Sequence, residues 1–488
     1  MHFNDEYIDF HCHPSLKPFG KSFNYTPKGI HIGHRSSKRS IWHYDPPSIT
    51  DKLLNYFTGL TKFSQANFTS LAKGGVGIVC VSLYPLEKWF VRNKMNSELL
   101  LDLASNFALG VGGKRVDYLQ GITDYFRDLE TQYDFYRQLD GKIVRLPEGK
   151  FRYKLVNSFT EIQKIKNENK SGSKVHTICV ILSIEGLHVL NTGLRQSYSE
   201  VEVLTNLEKI KNWGFRPFFI TIAHHFWNQL CGHSESLSGI ILKFADQTEG
   251  LNQGFTPLGR KVLERLVDDT DNKRIIPDIK HMSVQARKEY YQILDSGNPN
   301  FKNLPVIASH AACNGLKSFD DPLPANPKTA SKLNPVAINL FDEEIIRIAK
   351  SKGIIGLQLD ERRIVNKKTL KKTKKSLKRN KIMHYRSELL WNQIQHIAEV
   401  LDAEGLFAWG CMAIGSDFDG IIDSLNGFWT AEELPFLADF LERHAYNYML
   451  AHNLVNAVNV IPADEIITRL MSANGKTILQ EYFIKVQN

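Results

Sequence analysis

At 488 residues, with 42% hydrophobic and 23% charged side chains, the chain has the composition of a globular protein long enough to bury a large core. Its formal charge of +9 is local: residues 361–386, ERRIVNKKTLKKTKKSLKRNKIMHYR, hold twelve Lys or Arg against one Glu, so the remainder sums to −2 and the nearly neutral body is not expected to bind nucleic acid. No apolar run approaches the ~18 residues of a membrane span, the opening MHFNDEYIDF lacks a secretory pattern, and six scattered cysteines with no CxxC pair read as reduced thiols, so a cytoplasmic protein is expected.

Eight short β-rich runs follow one another along the chain. They are YIDFH (7–11), GVGIVCVSLY (75–84), HTICVILSIEG (176–186), FRPFFITIAHH (215–225), RIIPDI (274–279), LPVIASH (304–310), GIIGLQLD (353–360) and FAWGCMAIGSD (407–417). Helical stretches separate them. In TPLGRKVLERLVDD, Thr256 is placed to cap and Pro257 to open a helix. DEEIIRIAKSKG starts with acids and ends with Lys and Gly, as the helix dipole prefers, and SELLWNQIQHIAEVLDAEG is a third helix. Near-continuous apolar strands alternating with helices predict an α/β protein with a parallel sheet covered on both faces; eight such units predict a (β/α)8 TIM-type barrel. One domain over 1–488 is expected, with insertions at about 14–70 and 111–172 and the Lys-rich one at 361–386. The first insertion reads as an irregular loop over the barrel mouth. In the third, Leu370 and Leu377 are spaced as on a thin helical stripe, and the segment reads as a solvated hairpin, as a lid bringing positive charge to an anionic substrate, or as a nucleic-acid or membrane-surface contact, the last without interleaved aromatics to stack on bases.

Active sites of parallel barrels lie at the C-terminal ends of the strands. There the sequence places His11 and His13, Glu185, His224, His281, His310 and Asp417, from six different strands. His11 and His13, two apart in extended chain, project to one side, and imidazoles with a carboxylate suit a borderline metal such as zinc. Unpaired ionisable groups at buried strand ends are costly, so their recurrence on successive strands points to a buried metal site. Asp417 is placed for proton transfer, and Asp419, on the other side of the chain, reads as a turn or cap residue.

The stretches DFHCHPS, GGVGIVCVSLY, SIEGLH, FITIAHHFWN, IPDIKHMS, PVIASHAAC and AIGSDFDG, in this order, resemble the membrane (renal) dipeptidase family of zinc peptidases within the amidohydrolase-like metal-dependent barrels. The resemblance implies a binuclear zinc centre. His11 and His13 would hold one ion, His281 and His310 the other, and Glu185 would bridge them. His224, or His225 beside it, would polarise the substrate carbonyl. Asp417 would take a proton from a metal-bridging hydroxide and deliver it to the leaving amine of a dipeptide or similar small amide, and a homodimer is the implied assembly. The sequence departs from the family where HxD is usual and His13 stands instead. It departs again where an Arg grips the substrate carboxylate: here are Ile338 and Asn339, with Lys332 nearby. Lactone hydrolysis, deamination, or a non-catalytic metal-binding relative are the alternatives; deamination would add an HxxE relay, which is not found.

Overall fold

Ten strands form, buried almost throughout except in the alternating pair β3 and β4: β1 (Tyr7–Cys12), β2 (Val76–Leu83), β3 (Val144–Leu146), β4 (Gly149–Leu155), β5 (His176–Glu185), β6 (Phe219–Thr221), β7 (Ile276–Asp278), β8 (Ile307–Ala311), β9 (Ile354–Leu357) and β10 (Met412–Ile414). The computed structural model describes residues 6–22, 36–59, 61, 63–92, 110–237, 245–323, 332–373, 378–451 and 454–483. Eight strands run parallel in the order β1, β2, β5, β6, β7, β8, β9, β10, and β10 closes on β1 with Asp9 opposite Ile414. The predicted barrel is present. Its strands are shorter than the apolar runs that announced them, most of all the fourth, where the regular strand is Phe219–Thr221 within the run 215–225.

Period-two alternation grades the barrel interior from floor to mouth. One face of β5 carries Cys179 and Ile181, which join the floor cluster, then Ser183, then Glu185 at the strand end. Phe10 and Phe219 stack across the floor with ring centres 6.0 Å apart, and Ile478, Leu479 and Phe483 of the C-terminal helix region complete that cluster. Above it the lining is small: a Cβ on Gly356 or Gly415 would lie 1.8 or 2.0 Å from the Ser309 carbonyl oxygen, so only glycine lets these strands approach. The opposite strand faces pack against helices, among them Pro257–Val267, where Thr256 accepts from the Gly259 amide as the capping pattern predicts. Asp342–Lys350 and Arg379–Ala403 are the other two predicted helices.

The insertions are more ordered than a loop. Within 14–70, Leu16–Ser22, Ile49–Thr58 and Phe68–Lys73 are helical. The region 111–172 contains helices Gly113–Gly121, Tyr125–Arg137 and Phe159–Lys170 and the antiparallel hairpin β3–β4. β4 pairs in parallel with the first half of β5, and β6 takes the same edge further on, at Ile184 and Glu185. In the Lys-rich segment, Glu361, Arg363 and Ile364 are buried while the short helix Lys367–Thr373 buries no residue; Leu370 is half-buried and Leu377 lies outside the described residues.

Candidate metal centre

At the mouth of the barrel six buried side chains meet around the buried Glu185 carboxylate. His11 and His13 bring their Nε2 atoms to 3.1 Å, and His281 and His310 bring theirs to 3.2 Å. Glu185 lies between the pairs: Oε2 is 3.0 Å from His13 Nε2, while Oε1 is 3.4 Å from His281 Nε2 and 3.3 Å from His310 Nε2. His224 Nε2 also approaches Oε1, at 3.5 Å. Asp417 Oδ1 is 3.7 Å from His13 Nε2 and 3.9 Å from His11 Nε2. Each residue singled out at the strand ends is therefore in one cluster. His225 joins it from the side, its ring centre 3.8 Å from that of His224 and 5.1 Å from that of His281, with its Nδ1 2.6 Å from Ser236 Oγ and its ring edge-on to Phe90.

The backbone turns where these groups emerge. His281 and Asp417 sit just beyond β7 and β10 with φ of 66° and 58°, a left-handed conformation that non-glycine residues adopt at a cost of about 1–3 kcal/mol. Gly420 makes room for the second of them: a Cβ there would lie 1.9 Å from Asp417 Oδ1. Asp419 ties the rim together, receiving Lys17 Nζ at 2.8 Å and the amides of Gln65 and Ala66 at 3.0 and 2.9 Å. This is the structural turn role its position suggested.

A deeper layer orients the ligand-type side chains. The Ser309 hydroxyl donates to Asp278 Oδ2 at 2.5 Å and lies 2.9 Å from His310 Nδ1 and 3.3 Å from His11 Nδ1. Asp9 accepts from the His11 and Ser416 amides, at 3.2 and 2.9 Å. Glu87, from the loop after β2, faces His224 Nδ1 at 2.8 Å and accepts from the Tyr84 hydroxyl at 2.8 Å and the Phe226 amide at 3.2 Å.

Burial pushes the imidazoles of His11, His281 and His310 toward the neutral form, the last two well below the usual histidine value. Burial also works against protonation of His224, yet Glu87 and Glu185 raise its pKa overall. Glu185 is driven up by burial but held well below the carboxylate range by His224, His11 and His13. Burial first, then the Glu185 charge, lifts Asp417 to about 8. Against burial, Glu185 and Asp417 raise the His13 pKa, while the neutral imidazoles of His11, His281 and His310 around an ionised carboxylate are donors suited to a divalent metal. Among the described residues the groups placed to hold an ion are His11–His13–Asp417, His11–Glu185–His310 and His224–His225–His281. Each Nε2–Nε2 contact near 3 Å brings two ring nitrogens to one point, so that both can turn a lone pair toward a shared ion.

Residues 43–473 match the model of the membrane dipeptidase family, peptidase family M19. The chain belongs to that family. It is an amidohydrolase-like metallopeptidase by that membership, and the ligand-type residues from Glu185 to Asp417 fall inside the match while His11 and His13 precede it. Among solved structures, the chain is 14% identical to a metallopeptidase from Rhodobacter sphaeroides liganded with a phosphinate mimic of L-Ala-D-Ala, with 98% of this chain and 99% of that one covered and a TM-score of 0.48. The probable dipeptidase PvdM from Pseudomonas aeruginosa is likewise 14% identical, over 86% of this chain and 89% of that one, with a TM-score of 0.47. No curated protein matches the chain by sequence.

Four residues of this dipeptidase-family site carried no separable sequence signal. Glu87 stands in YPLEKWF, beyond a strand end, and Gln358 and Arg363 flank a turn in GLQLDERR. Lys280 precedes His281 directly, and a Lys ending an apolar strand is the nearest to a clue. Gln358 Nε2 donates to Asp417 Oδ2 at 3.1 Å, and Lys280 Nζ donates to Gln358 Oε1 at 3.2 Å. The positions matched to the family's carboxylate-binding Arg are turned to other uses. Ile338 is buried, Asn339 donates to the Asn334 and Arg363 carbonyls at 2.9 and 3.0 Å, and Lys332 donates to Asn392. Among the described residues no helix is long and apolar enough to cross a membrane, and the six cysteines are buried and form no disulfide.

Proposed function

We propose that this chain is a binuclear zinc dipeptidase that hydrolyses the amide bond of a dipeptide or similar small amide. The observation carrying this reading is the position of Glu185 between two imidazole pairs, with Oε2 3.0 Å from His13 Nε2 and Oε1 3.3–3.6 Å from the Nε2 atoms of His310, His281 and His11. His11 and His13 would hold one ion, His281 and His310 the other, and Glu185 would bridge. Imidazole at position 13 in place of a carboxylate removes one negative charge from the centre, which leaves its ions more electrophilic. When bound, the ions supply Lewis acidity toward the amide carbonyl and acidify water.

The protein's own groups complete the chemistry. Glu87 accepts from His224 Nδ1–H and, with Glu185, outweighs burial to favour the imidazolium, whose Nε2–H faces the centre and can donate to the oxygen on which charge develops. His225 is the weaker donor, because burial and its neighbours His224 and His281 hold it well below the usual histidine pKa. Asp417, held by Gln358, accepts the proton released as water attacks and delivers it to the departing nitrogen. The buried cysteines, joined in no disulfide, support a cytoplasmic placement, and sedimentation velocity would test the homodimer expected of the family.

The deciding experiment is elemental analysis of the purified protein beside a dipeptide hydrolysis screen, with Asp417→Asn as control. Two zinc ions per chain and Asp417-dependent cleavage are expected. Two bound metals with no hydrolysis of any dipeptide would overturn the peptidase assignment and favour another amide or lactone substrate.

A further inference from the structure

Beside the metal centre, on its Asp417 side, opens a cleft whose lining includes His225, His281, Lys280, Gln358, Arg363 and Asp417. Three cations reach it, and they differ in what they already hold. Arg362 is fully used: it grips Asp360 with Nε at 3.0 Å and a terminal nitrogen at 2.8 Å, and donates to the Ile421 carbonyl at 2.9 Å. Lys280 makes one bond, to Gln358. Arg363 is 9% exposed, and among the described residues its guanidinium has no hydrogen-bond acceptor and no carboxylate within 4.0 Å. The negative charges nearest to it, Asp360, Asp417 and Glu235, act only at longer range.

A guanidinium cannot shed its proton to escape burial, so an unpartnered one is costly unless something outside the chain pairs with it. Its planar fork fits a carboxylate with two parallel bonds. Its place is fixed from behind, because the Arg363 carbonyl accepts from Asn339 Nδ2 at 3.0 Å.

We propose that Arg363, seconded by Lys280, is the carboxylate-binding residue of the substrate cleft and recognises the α-carboxylate of the amino acid whose amine departs. This rests on the dipeptidase reading above and adds the end of the substrate that is gripped. The cleft brings Asp417 and Arg363 to one side of the centre. If Asp417 hands a proton to the leaving nitrogen, a carboxylate one carbon away from that nitrogen extends toward Arg363. The fork absent at Ile338 is thereby supplied from the turn after β9, out of the first residues of the Lys-rich segment, while the exposed lysines beyond it take no part.

The test compares binding, by calorimetry on the zinc-loaded full-length protein, of a phosphinate analogue of an alanyl-alanine dipeptide and its C-terminal carboxamide. Both share the metal-binding phosphinate, so the difference reads the carboxylate alone. Wild type is expected to bind the free acid at least tenfold more tightly, about 1.4 kcal/mol. Arg363→Met should bring the ratio to within twofold with carboxamide binding unchanged, and Arg363→Lys, which keeps charge without the fork, should lower it at least threefold. Equal binding by wild type, failure of either compound to bind, or an undiminished ratio in both variants overturns the proposal. Retained acid preference without hydrolysis of any dipeptide would instead sink the dipeptidase reading and leave the carboxylate subsite standing.

Discussion

Asp9 is sealed beneath the centre, and burial raises its carboxyl to about 6 despite the hydrogen bonds it accepts from Ser416 and His11. A carboxyl whose folded pKa exceeds its unfolded value contributes no penalty below about 4, and destabilises increasingly as pH rises through about 6. Asp9→Asn keeps the acceptor for both amides and can donate to the Ser416 hydroxyl. In chelator-treated protein its stability gain over wild type is therefore expected to be near zero at pH 4, to grow to about 2–3 kcal/mol by pH 7, and to stay flat above. Urea unfolding across that range measures it; a difference independent of pH would show that Asp9 does not titrate there. Asp417 gives the second prediction at this scale. Gly420→Ala puts a methyl where its carboxylate lies, so turnover should fall about 10²-fold or more, as for Asp417→Asn, with metal content unchanged. Loss of metal in Gly420→Ala would make Asp417 a ligand rather than a proton carrier. His11, His13 and Asp417 were legible because an ionisable residue closing an apolar strand is conspicuous in sequence. Glu87 and Arg363 were not: one sits in a loop and the other in the one-turn helix Glu361–Ile364, both of mixed polarity, and only folding brings Glu87 against His224.

The strands were legible as apolar runs, but their lengths were not, since a run stays apolar wherever it is buried while pairing stops where the barrel flares. In FRPFFITIAHH the regular strand is Phe219–Thr221, with backbone bonds at Phe218 and Ile222 continuing it by one residue on each side. β4 escaped notice for the opposite reason. GKFRYKL alternates, its buried positions falling at Phe151, Tyr153 and Leu155, and a search tuned to continuous apolar strands passes over such a half-exposed edge. The Lys-rich element illustrates how charge misleads: its composition suggests a single solvated unit, yet it divides into a buried turn carrying Arg363 and the helix Lys367–Thr373 that buries nothing. Changing Lys367, Lys368, Lys371 and Lys372 together to Gln should therefore leave kcat/KM on dipeptides within about twofold and its salt dependence unaltered, exposed charges being screened within ~8–10 Å. A tenfold loss relieved by neither salt nor added zinc would restore these lysines as part of the substrate site.

At the scale of the molecule, the barrel is a device for bringing β1, β5, β6, β7, β8 and β10 to one rim, so that groups remote in the chain share a single low-dielectric space. Seven buried ionisable side chains there are tolerable when metal charge balances them, and folding and metal binding are then one equilibrium. Chelation should lower the unfolding midpoint, and zinc restore it, each site adding about 2.7 kcal/mol at a hundredfold excess over its Kd. The two imidazole pairs make this prediction divisible. His281→Ala opens the pair on the Oε1 side of Glu185 and leaves His13 facing Oε2 at 3.0 Å. It should therefore retain one zinc per chain and about half of the stabilisation. His13→Ala should do the converse. Glu185→Gln, which touches both pairs, should weaken both sites while leaving the hydrogen bonds of Ser309 and Asp278 beneath them intact. Zinc stoichiometry by elemental analysis, paired with thermal midpoints before and after chelation, distinguishes these patterns. Loss of both ions in His281→Ala, or of neither, would mean that the imidazoles form one indivisible centre rather than two linked by a carboxylate.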